Sequence, residues 1–66
     1  MAKSPTGVIP EELMRPGQVG RVMTFLQTLP GDGDTKVEYL IGWARAVGVK
    51  INAAQRRAVR NSGTDR

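Results

Sequence analysis

The sequence has no cysteine and no histidine. The first absence excludes disulfide staples and thiolate metal sites. The second excludes imidazole catalysis, and together they exclude every common zinc-binding ligand set. A chain free of cysteine suits a reducing compartment, and a cytoplasmic address is expected. Aromatic residues number one Phe, one Tyr and one Trp, too few for a platform that stacks unpaired bases. No apolar run approaches the ~20 residues that span a bilayer, so membrane insertion is not expected. Met1-Ala2-Lys3-Ser4-Pro5 carries one positive charge and no apolar core behind it, unlike a signal peptide. Acidic residues are missing from one long stretch: between Glu38 and Asp65 there is none, while Arg45, Lys50, Arg56, Arg57 and Arg60 fall inside it.

Catalysis needs a positioned base, nucleophile, metal or cofactor cradle. The six acids, Glu11, Glu12, Asp32, Asp34, Glu38 and Asp65, fall at loop, cap or polar-face positions. Asp32-Gly33-Asp34 lacks the further ligands and the terminal Glu of a calcium loop. Gly31 and Gly33 follow a proline rather than a strand, and no Lys-Ser/Thr pair follows them, so they do not form a phosphate-binding loop. The expectation is a protein that is not an enzyme, with no cofactor and no metal site.

With 66 residues the chain forms at most one domain. A domain of this size buries only ~60% of its unfolded surface and rarely gains more than ~3–5 kcal/mol from its core. The pattern predicts an all-α fold: a small three-helix domain, made of a helical hairpin and a basic C-terminal helix, behind a flexible N-terminal arm. The arm covers residues 1–9, where Pro5, Gly7 and Pro10 break regular structure. The helical domain covers 10–61 and a frayed tail 62–66.

Pro10-Glu11-Glu12 suits the start of a short helical turn. From about Pro16 to Leu29, Val19, Val22, Met23, Leu26 and Leu29 recur at the helical period with Phe25 beside them. Pro30-Gly31-Asp32-Gly33 is a loop. A second helix is predicted over about Thr35–Val47, capped by Asp34 or Thr35, with Thr35 and Glu38 at capping-box spacing. Its stripe of Val37, Leu40, Ile41, Ala44 and Val47, with Trp43 on the flank, repeats the previous stripe 18 residues on. Two such faces joined by a short loop favour an antiparallel pair. Gly48 ends the helix, and Val49 and Ile51 plug the core. Asn52 and Gln55 have the spacing to cap a last helix, from about Ala53 to Arg60. There Ala54, Ala58 and Val59 read as one side, and Arg56, Arg57 and Arg60 span a ~100° arc on the other.

Net charge is +4, but it is unevenly placed. Residues 1–35 hold three basic and four acidic side chains, and residues 36–66 hold seven basic and two acidic. Such asymmetry points to a polyanionic partner. The expected function is that of a small basic accessory protein binding nucleic acid, duplex DNA in particular, through its Arg-rich last helix. Arg56, Arg57 and Arg60 would contact phosphates, with Lys50 in the connector and Arg45 on the preceding helix. Asn52 and Gln55 would read base edges, set against their simpler role as caps. Ala44, Gly48 and Val49 match the start of a helix-turn-helix; Arg57, at a position that motif buries, does not. The alternative is an interaction or assembly adaptor. It would dock on an acidic protein surface, or form a homodimer through apolar residues such as Ile9, Leu13, Met14 and Met23.

Overall fold

The computed structural model describes residues 8–63. Three helices follow two 3-10 turns at Glu11–Leu13 and Pro16–Gln18: α1 Val19–Thr28, α2 Gly33–Val47 and α3 Ala53–Asn61. No strand occurs among the described residues, and the expected all-α, three-helix class is what the chain forms. α2 touches both other helices, and its contact with α3 is more extensive than that with α1. α2 is therefore the central element, packed against α1 on one side and α3 on the other.

The core consists of Ile9, Leu13, Val22, Leu26, Val37, Leu40, Trp43, Ala44 and Val59. Val22 and Leu26 are the centre of the α1 stripe, with Val19, Met23, Phe25 and Leu29 half-buried at its edges. On α2 the buried surface is rotated toward Trp43. That side chain, expected on the flank, is fully buried, whereas Ile41 and Val47 are only half-buried. A helix packed on two sides needs a wider buried face than one packed on a single side. Trp43 Nε1 donates to the Leu13 carbonyl at 2.7 Å, which satisfies the buried indole N–H and ties the N-terminal turn to α2. Most of the N-terminal arm lies outside the described residues; Ile9, at its end, is packed in the core.

Asp32 caps α2, and the helix begins at Gly33, two residues before the expected Thr35. The Thr35 N–H donates to Asp32 Oδ2 (3.2 Å) and the Thr35 hydroxyl to Oδ1 (2.8 Å). Asp34 and Thr35 are thus inside the first turn, and the Thr35–Glu38 spacing forms no box. The two Thr35 donors hold the exposed Asp32 carboxyl below the ordinary carboxylate range. A depressed carboxyl stabilises the fold above its unfolded pKa of about 3.9, and the contribution disappears as pH falls through the folded value. Asp32→Asn keeps a good cap but no titration. Wild type should therefore exceed the variant in urea midpoint at pH 7, and the gap should narrow as pH falls below about 3.9. An unchanged gap at pH 3 would show that the carboxylate charge contributes nothing.

Gly48 ends α2 with φ of 81°, and its N–H and that of Val49 both donate to the Ala44 carbonyl. A left-handed residue at that place suits glycine. The α2–α3 seam is closed at its other end by two glycines in direct backbone contact. A Cβ on Gly33 would collide with the Arg60 carbonyl, and one on Gly63 with the backbone of Gly33. Beside them Lys36, 1% exposed, donates from Nζ to the Ser62 carbonyl (3.0 Å), the Ser62 hydroxyl (3.3 Å) and the Gln27 carbonyl (3.5 Å). Gln27 lies in the last turn of α1 and Ser62 is the C-cap of α3. The ammonium thus sits on the negative ends of two helices and fills carbonyl valences that a helix end leaves open. Ser62 and Gly63, assigned from sequence to a frayed tail, are half-buried in this seam.

Candidate nucleic-acid interface

α3 is held to the core by Val59, its one fully buried residue, with Gln55 and Ser62 half-buried beside it. Ala54 and Ala58, read from sequence as sharing the inner side with Val59, are both exposed. The helix is turned so that the Gln55–Val59–Ser62 line faces inward, because Lys36 and Gly33 draw in the end that carries Ser62. Helical geometry then sends residues 53, 56, 57, 60 and 61 outward together. Ala53, Arg56, Arg57, Arg60 and Asn61 line one surface concavity of about 370 Å³. The small Ala53 side chain leaves room among three guanidinium groups.

Two of those groups already have protein partners. Arg56 donates to the Ile51 carbonyl at 3.0 Å, which directs it back along the connector. Arg60 Nε lies 3.3 Å from Asp34 Oδ1, the one ion pair found among the described residues. Arg57 is exposed and makes no hydrogen bond or ion pair among the described residues. Glu11, Glu12 and Glu38 do not pair with the cluster, and among the described residues Asp34 is the one acid that does.

Asn52 and Gln55 form a capping box at the start of α3. The Gln55 N–H donates to Asn52 Oδ1 (2.8 Å), and the Asn52 N–H donates to Gln55 Oε1 (2.9 Å). Both amide oxygens are therefore directed at the backbone, where they cap the helix. Arg45, in the last turn of α2, and Lys50, in the connector, are exposed but do not line the concavity. Arg45 also complements the negative end of α2.

Sequence reasoning passed over two residues of the site. Asn61 is four residues beyond Arg57 and on the same face, a relation visible from helical spacing although Asn61 reads as a helix stop. Asp34 is 26 residues from Arg60, and only the fold brings them together. The helix-turn-helix reading gains nothing at its second helix, since Ala54 and Arg57 are both exposed. Around the rest of the molecule, Val8 is the one large hydrophobic residue exposed among those described. No helix there is long and apolar enough to cross a membrane. Comparison with family models, with curated proteins and with solved structures gives no match.

Proposed function

We propose that the protein is a non-catalytic nucleic-acid-binding protein that grips the phosphates of duplex DNA with the outer face of α3. The observation that carries this reading is the convergence of Arg56, Arg57 and Arg60 on one exposed concavity. Guanidinium groups present planar donor forks to phosphate oxygens, and a row of them on a short helix can follow a duplex backbone. Lys50 and Arg45 extend the positive field beyond the helix. Recognition of unpaired bases is less well supported, because Trp43 is fully buried and Phe25 and Tyr39 half-buried. Dimerisation through apolar helix faces also has less support, since those faces are largely spent on the core. An acidic protein surface would satisfy the same arginines, and is the outcome to set against DNA.

The test is duplex binding followed by fluorescence anisotropy over a salt series. Four phosphate contacts, from the three arginines and Lys50, give a log–log slope near −3.6, using about 0.9 per phosphate. Arg57→Ala should flatten the slope by about 0.9 and leave the urea midpoint unchanged, since its exposed side chain makes no hydrogen bond or ion pair among the described residues. Undetectable binding at low salt would remove the DNA reading and leave the acidic protein.

A further inference from the structure

Asp34 is the second residue of α2, with its carboxylate at the positive end of that helix. The close approach of Gly33 to the Arg60 main chain places Asp34 against the rim of the arginine cluster. The two side chains of the Asp34–Arg60 pair remain 79% and 60% exposed, so nothing buries the contact and a competing anion can reach it. Arg60 is thus both a wall of the concavity and the partner of a carboxylate outside its lining.

Resting on the α3 reading above, we infer that Asp34 limits duplex affinity by standing in for a phosphate on Arg60. A carboxylate offers a guanidinium the same charge sign and paired oxygen acceptors as a phosphate group. A duplex backbone must displace it before Arg60 contributes. A ligand that neutralises only Arg56 and Arg57 gains nothing from Arg60, and one that carries charge further along α3 does. The contact therefore lowers affinity for a continuous phosphate rail, which must displace it, and leaves a ligand held by Arg56 and Arg57 alone unaffected.

The test is a cycle of Asp34→Asn and Arg60→Gln, singly and together, with a labelled duplex of about two helical turns at ~0.15 M salt, where screening over ~8 Å suppresses distant charge effects. Asp34→Asn should tighten duplex binding about two- to fivefold, the range of an exposed ion pair. In the Arg60→Gln background the same change should give little or no gain. Equal gains in both backgrounds would mean that Asp34 acts only through net charge, and would overturn the inference. No gain in either, with wild-type binding intact and weakened by Arg57→Ala, would overturn it while leaving the α3 reading in place. No binding by any of the four proteins would overturn both. Matched urea midpoints across the cycle separate these outcomes from a change in folding.

Discussion

Trp43→Ala should leave the chain unfolded at 25 °C. The indole is fully buried, and truncating a buried Trp costs about 3–5 kcal/mol in lost transfer energy and residual cavity. A core of this size supplies about that much in total. The loss also reaches beyond packing. The indole N–H holds the Leu13 carbonyl at 2.7 Å, so the N-terminal turn loses a buried polar tie to α2 while the core that Ile9 and Leu13 share with Trp43 loses its largest side chain. Far-ultraviolet circular dichroism should show little helix and no cooperative urea transition. Trp43→Phe separates the two contributions. It keeps most of the ring, drops the donor and leaves the Leu13 carbonyl in need of a partner, at about 1–3 kcal/mol. That variant should fold, with faster amide exchange in residues 9–15 than in α2. A Trp43→Ala protein that unfolds cooperatively within about 1 kcal/mol of wild type would show that the core does not turn on this residue.

The helices were legible because their signals are local. The stripe at Val22 and Leu26, the Gly48 stop and the Asn52–Gln55 box each need only a few residues of context, and each is found in place. Where two local signals competed, periodicity could not choose. Thr35–Glu38 and Asp32–Thr35 are both acceptable cap spacings, and the earlier one won because the Thr35 hydroxyl adds a second donor to the Asp32 carboxylate. Contacts across 26 or 30 residues left no local trace. The Trp43–Leu13 bond, the Asp34–Arg60 pair and the burial of Lys36 all depend on how α2 sits between its neighbours. The site shows the same division. Spacing alone put Arg56, Arg57 and Arg60 on one arc, but a count of charges along the chain cannot tell the buried Lys36 from the exposed cations.

Lys36 is the more instructive case, because its burial makes a prediction about stability and another about binding. Lys36→Ala should cost about 2–4 kcal/mol, combining a charge-assisted set of hydrogen bonds, about 1.5–3 kcal/mol, with the packing of its aliphatic stem. Lys36→Met keeps the stem and removes the charge. It should lose less, about 1–2 kcal/mol, because the Gln27 and Ser62 carbonyls lie near helix ends where water can replace the ammonium. The ordering wild type, Met, Ala in urea midpoint is the expected result. Replacing a buried ion by an apolar side chain is sometimes stabilising, since desolvation of the charge is avoided. A Lys36→Met protein as stable as wild type would show that the seam is held by Gly33, Gly63 and Val59 without the ammonium. The two helix C-termini favour the opposite outcome, because their partial negative charges attract the cation and no carboxylate among the described residues pairs with it. Binding gives an independent check on the same geometry. Lys36 is inside the seam and cannot reach a phosphate, so Lys36→Met, once shown to be folded, should leave the slope of duplex affinity against salt where wild type has it. The same unit of charge removed at Arg57 should flatten it by about 0.9. A Lys36→Met slope shifted as far as the Arg57→Ala slope would mean that overall charge, and not the outward face of α3, governs association.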